Sequence, residues 1–181
     1  MRADLLPTTY QGCLIRVVQE CAEVIQAITK LWQYGSTPTD HKTGITYDNV
    51  RDILNECNDI LHAIEPIILY YRRMSVYSVL YHPDLPPAKE QDQMLRALVL
   101  SASKTIQAII NLQAYGELAL GHFQGKSFSN RMVMLQYFQV IAADIATVQA
   151  YCKSFGTEIP MPDIPFSVIV DTGPLRHGGT L

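Results

Sequence analysis

No run of apolar residues in this sequence approaches the roughly 20 that a membrane-spanning helix needs, and no charged-then-apolar signal segment opens it. A soluble, cytoplasmic protein is the expectation. An excess of positive charge is also missing: 14 Lys and Arg stand against 17 Asp and Glu, for a formal net charge of -3. That balance argues against a broad basic surface for nucleic acid. The four cysteines, Cys13, Cys21, Cys57 and Cys152, form no C-x-x-C pair. Three of them fall on apolar helical faces, which suits small core residues in a reducing compartment better than disulfides or zinc ligands. His41, His82, His122 and His177 fall in predicted loops, and nothing groups them into a site. At 181 residues, with 48% hydrophobic and 17% charged, the chain has enough apolar material to bury a core, so disorder is not the default.

What is present is helical periodicity. Apolar residues recur at Leu14, Val17, Val18, Cys21, Val24, Ile25, Ile28, Leu31 and Trp32, a spacing that predicts a helix opened by Thr8 or Thr9 and closed by Gly35. A polar loop over 36–47 follows. Val50, Ile53, Leu54, Cys57, Ile60, Leu61 and Ile64 predict a second helix, capped by Thr46 or Asp48. Pro66 is expected to break or kink it. The aromatic run to Tyr81 reads as further helix, residues 83–89 as a proline-rich linker, and 156–181 as an extended Pro- and Gly-rich arm.

Each of the two helices carries an acidic pair: Glu20 and Glu23 on the first, Glu56 and Asp59 on the second. Residues three apart lie about 60° apart on one helical face, so each pair can grip one cation between its carboxylates. Two such helices side by side make an all-oxygen cage, which suits a hard cation such as Mg²⁺, with Mn²⁺ as a substitute, and leaves room for phosphate oxygens. Arg16 and Lys30 share the stripe of Glu20 and Glu23, where they could contact phosphates or form helix ion pairs with those glutamates. Lys42 in the loop is a weaker candidate of the same kind. Asn49 and Asp52 flank the second pair as further candidate substrate contacts. Trp32 reads as core before it reads as a base-stacking ring.

The second half repeats the first. Residues 24–35 read V-I-Q-A-I-T-K-L-W-Q-Y-G and residues 105–116 read T-I-Q-A-I-I-N-L-Q-A-Y-G, with seven of twelve positions identical. In that register Ser101 stands for Glu20 and Lys104 for Glu23. A weaker match sets Asp144 against Asp59 and Ile141 against Glu56. The second half therefore keeps a helical frame and loses three of the four carboxylates. Solubility alone does not account for acidic pairs on only one of two similar halves.

These residues resemble the MazG-type all-α nucleoside triphosphate pyrophosphohydrolases, which include the dimeric dUTPases and the phosphoribosyl-ATP pyrophosphohydrolases. The signature of an E-x-x-E helix followed by an E-x-x-D helix is matched by Q-E-C-A-E-V-I-Q-A and N-V-R-D-I-L-N-E-C-N-D-I, within residues 14–64. The wording looks most like phage-encoded members. Two departures stand out: Gln19 replaces a glutamate found in many members, and the gap between Glu23 and Glu56 is longer than usual. The resemblance implies an all-α bundle of two tandem modules, catalytic over 1–82 and degenerate over 90–155. It also implies Mg²⁺ held by Glu20, Glu23, Glu56 and Asp59, and cleavage of a nucleoside triphosphate to a monophosphate and pyrophosphate. A phage deoxynucleotide pool, dGTP or dUTP among its members, is the implied substrate class. Because such modules commonly pair face to face, the fused second module implies one nucleotide site per chain; assembly into homo-oligomers stays open. Two other readings remain. His62, three residues after Asp59, resembles the E-x-x-H of ferritin-like di-iron bundles, and the acidic cluster could be the solvated patch of a non-catalytic helical interaction module.

Overall fold

A computed structural model describes residues 9–73 and 91–154. Four helices account for most of them: α1 Tyr10–Tyr34, α2 Asn49–Arg73, α3 Gln91–Tyr115 and α4 Asn130–Ser154. The protein is an all-α bundle with one small addition, an antiparallel hairpin of β1 (Leu120–Phe123) and β2 (Lys126–Ser129) between α3 and α4. The linker at 83–89, the arm at 156–181 and the aromatic run beyond Arg73 lie outside the described residues.

Local chemistry sets the helix ends. The Thr9 hydroxyl accepts from the Gly12 N–H at 3.0 Å, satisfying one of the donors that a first turn leaves free. Gly35, at φ 78°, lets the chain leave α1 while its N–H still donates to the Leu31 carbonyl. Of the two candidate caps for α2, Asp48 is used: its Oδ1 accepts from the Arg51 N–H at 3.0 Å.

Of the two outcomes expected at Pro66, a break does not occur: α2 runs through it to Arg73. Proline removes the N–H that would bond the carbonyl four residues back, that of His62. Both residues lie on the exposed side of α2, where water can take over that carbonyl. The β-hairpin was missed because its strands are only four residues long. Its signal is the Gln124-Gly125 turn, both residues at positive φ (49° and 76°), as a two-residue hairpin connection requires. His122 consequently sits in β1 and not in a loop.

α1 buries Leu14, Val17, Cys21, Val24 and Ile28 against α2, which contributes Ile53, Leu54, Cys57, Ile60 and Ile64. α3 and α4 pair in the same way, and the two hairpins join mainly along α1 and α3. All four cysteines are buried and none is in a disulfide, as expected. Trp32 is not core: it is 45% exposed near the end of α1, with the Arg96 guanidinium of α3 at 5.6 Å from its ring centroid. At the other end, the Tyr71 hydroxyl donates to Glu117 at 2.9 Å and is hydrogen-bonded to Tyr10, while Arg131 lies over the Tyr71 ring and 3.7 Å from Glu117. Gln149 of α4 donates to Asn58 of α2 at 2.9 Å.

The internal repeat extends through both helices of each half. Placing α1 on α3 and α2 on α4 end to end, Glu20 falls on Ser101, Val24 on Thr105, Asn49 on Asn130, Cys57 on Phe138, and Ile64 on Ile145, buried in every case. Asn49 donates to the Gly35 carbonyl at 2.7 Å, and Asn130 makes the same bond to Gly116 at 3.1 Å. This register corrects the weaker sequence match in the last helix: Tyr137 and Val140, not Ile141 and Asp144, stand opposite Glu56 and Asp59. The two registers differ by about one helical turn, which keeps the same residues on the apolar face. Only the helix ends and the asparagine bond separate them.

Because Asn49 and Asn130 are buried and tie a helix start to the previous helix end, Asn49→Ala and Asn130→Ala should each cost about 1–3 kcal/mol. Chemical denaturation in chelator would read this as two similar losses. A neutral effect at either position would show that the asparagine is not part of the shared frame.

Candidate metal centre

The α1–α2 seam brings the two acidic pairs together. Glu20 enters it because it lies one residue from Cys21 on the inner face of α1, and it is completely buried. Glu56 and Asp59 lie on either side of Cys57 on α2 and are partly buried. One carboxylate oxygen from each of Glu20, Glu56 and Asp59 lies within 4.8 Å of the others. Glu23 is more exposed but shares a hydrogen bond with Glu56, so all four predicted carboxylates belong to one cluster. Glu20 is the deepest of the four, with Glu56 and Asp59 partly buried and Glu23 exposed.

The electrostatics of this cluster are unfavourable without a cation. Burial pushes the Glu20 carboxyl up, Arg16 opposes the rise, and Glu23 and Asp59 add to it. Glu56 is pushed up to about 7, first by burial and then by Glu23, Glu20 and Asp59. Like charges in a low-dielectric seam resist ionising together. The only ion-pair partner of the cluster among the described residues is Arg16, bound to Glu20 Oε1 one turn along α1. Glu20 Oε2 and Glu56 Oε2 are buried with no hydrogen-bond partner. Buried acceptors of this kind ordinarily have one, and a divalent ion would satisfy both.

The remaining predicted residues divide. Arg16 is committed to its ion pair with Glu20, one of the two roles open to it. Lys30 and Lys42 are exposed and form no ion pair among the described residues; the Lys42 backbone N–H caps a turn by donating to Asp40. Asn49 is held by Gly35, and because Asn130 makes the same bond in a half without the carboxylates, that bond belongs to the frame. Asp52 is partly buried one turn before Glu56, so it extends the acidic stripe without joining the cluster. His62 is exposed and outside the cluster.

Comparison with protein-family models, with curated proteins and with solved structures gives no match for this chain. The chemistry of the site is therefore read from its own residues. All ligand candidates are oxygens, and Cys21 and Cys57, although adjacent in sequence to them, face the core with thiols held protonated by burial. Oxygen-only donors suit a hard cation better than the softer, thiophilic metals.

A carboxyl whose folded-state pKa is raised binds its proton more tightly in the folded than in the unfolded chain. Its contribution to stability is complete below about pH 4.5, the ordinary value, and is lost as pH rises through about 7. In chelator, the melting temperature of the wild type should therefore fall relative to Glu56→Gln across that window, and the variant should be the more stable at pH 8. Mg²⁺ or Mn²⁺ should restore the wild type at pH 8 and do little at pH 5, where protons compete for the ligands. Parallel melting curves for the two proteins would count against a raised Glu56.

Proposed function

We propose that this protein is a metal-dependent nucleoside triphosphate pyrophosphohydrolase of the MazG type, converting a (deoxy)nucleoside triphosphate to the monophosphate and pyrophosphate. The observation that carries the reading is the convergence of Glu20, Glu56 and Asp59, with buried oxygens of Glu20 and Glu56 left without hydrogen bonds. A bundle gains nothing from burying such a group in isolation, since an uncompensated charge is costly. It becomes favourable when a divalent cation is taken up.

In this reading Glu20, Glu56 and Asp59 hold the metal, and Glu23 joins them through Glu56. When bound, Mg²⁺ supplies charge neutralisation on the triphosphate and activation of a water for attack at the α-phosphorus. The residues of the chain position and balance charge. Arg16 fixes the Glu20 carboxylate and offsets part of its charge. Lys30, on the helix of Glu20 and Glu23 and without an ion pair among the described residues, is available to the β- and γ-phosphates; Lys42 in the 36–47 loop is a second such cation. The second module carries Ser101, Lys104, Tyr137 and Val140 at the four acidic positions, so it is a scaffold for one metal-dependent site per chain. A phage deoxynucleotide pool, with dGTP and dUTP foremost, is the substrate class to which the resemblance points.

A panel of ribo- and deoxynucleoside triphosphates with Mg²⁺ or Mn²⁺, scored for pyrophosphate, tests the proposal. Loss of an outer-shell partner of a metal already costs about 10–100-fold, so Glu20→Gln, Glu56→Gln or Asp59→Asn should lower turnover at least about 100-fold while helical CD is kept. Chelation should abolish activity. Near wild-type rates in all three variants, or a tightly bound iron centre with oxidase activity, would refute the assignment.

A further inference from the structure

The second module holds a cavity of about 320 Å³ where its two helices meet the β-hairpin. In the register fixed by the helix ends, it overlaps the counterpart of the acidic cleft: two of the four equivalent positions line it, while Ser101 and Val140 do not. Lys104 on its wall occupies the position of Glu23, and Tyr137 that of Glu56. Asn111 stands where Lys30 stands, and Tyr115 where Tyr34 stands. The part of the cleft around the Glu23 and Glu56 positions has therefore stayed open and been relined.

The new lining has the opposite electrostatic sense. No carboxylate lines the cavity among the described residues, and Lys104 makes no ion pair there. The one buried acid nearby in the helix pair, Asp144, is hydrogen-bonded by Ser101, the residue in the place of Glu20, and takes no part in the lining. His122 faces the same space from β1, its Nδ1 3.3 Å from the Ser127 hydroxyl. Tyr137 is held edge-on against Phe123, with ring centroids 4.9 Å apart, so its ring is a fixed wall. Gln107 and Asn111 supply amides to the same space. A cation is thus built into the position where the first module would recruit one.

We propose that this cavity binds a nucleoside monophosphate without a divalent ion, its phosphate on Lys104 and its base between the tyrosine and amide walls. The space exceeds what an inorganic phosphate fills, and a planar, amide-reading, ring-lined wall suits a base. The choice of a nucleotide rests on the function proposed for the first module; the anion preference follows from the lining alone. One chain would then carry two unlike sites, one metal-dependent and one metal-free.

Calorimetric titration of the full-length protein with the common ribo- and deoxynucleoside monophosphates and with inorganic phosphate, all in EDTA, tests this. At least one monophosphate should bind more tightly than inorganic phosphate, and Glu20→Gln should bind it as the wild type does. A charge-assisted contact to phosphate is worth enough that Lys104→Glu should weaken binding about 10- to 100-fold, and Lys104→Gln by less. Lys104 is exposed, so both variants should keep the wild-type CD spectrum and melting temperature. No binding in EDTA, binding unaffected by Lys104→Glu, or equal affinity for inorganic phosphate would overturn the proposal. Failure of the hydrolase reading would show separately, as absent turnover and absent metal response with Lys104-dependent binding intact.

Discussion

The arrangement of the first module depends on one costly act, the burial of the Glu20 carboxylate in the seam between α1 and α2. A charge taken from water into a helix interface must be neutralised, by a proton, by a cationic side chain or by a metal. Arg16 does part of this from one turn away, and Glu56 holds its proton up to about pH 7. The rest of the seam is apolar and nearly inaccessible, which is why partial compensation leaves buried oxygens on Glu20 and Glu56 unbonded. The hydrophobic contacts that hold the hairpin thus also enforce the electrostatic demand.

Duplication shows which residues serve the frame and which serve the site. Positions that keep their role in both halves, such as Asn49 with Asn130 and Gly35 with Gly116, close the helix-to-helix connection: each asparagine bonds the carbonyl of a glycine that turns the chain in a left-handed conformation. All four positions of the acidic cluster change, to Ser101, Lys104, Tyr137 and Val140. The same backbone can carry Glu20 or Ser101, and Glu23 or Lys104, because each occupies an equivalent place on its helix. The two hairpins need one another through the α1–α3 contact, the Trp32–Arg96 pair and the Tyr71–Glu117–Arg131 cluster. These linking contacts join residues far apart in the chain and show no periodicity in it.

The sequence by itself determined the first two helices, the ends of the first at Thr8 or Thr9 and at Gly35, the acidic pairs and the existence of a repeat, because each is a local pattern with a fixed spacing. It also placed Glu20, Glu23, Glu56 and Asp59 in one cluster, since two i, i+3 pairs on the apolar edges of antiparallel neighbours have little choice of partner. Tertiary structure alone decided the depth of Glu20, which a helical wheel places only to within a side-chain width of the cleft edge. It decided the fate of Pro66, because the exposure of the His62 carbonyl depends on which face of α2 meets the core. It decided the register of the last helix, where a one-turn shift leaves the apolar pattern unchanged and only the Asn130 bond to Gly116 separates the alternatives. It also gave Asn49 its bond to Gly35 and moved Trp32 from the core to a surface contact with Arg96, since both outcomes depend on partners distant in sequence or across a loop that periodicity does not reach.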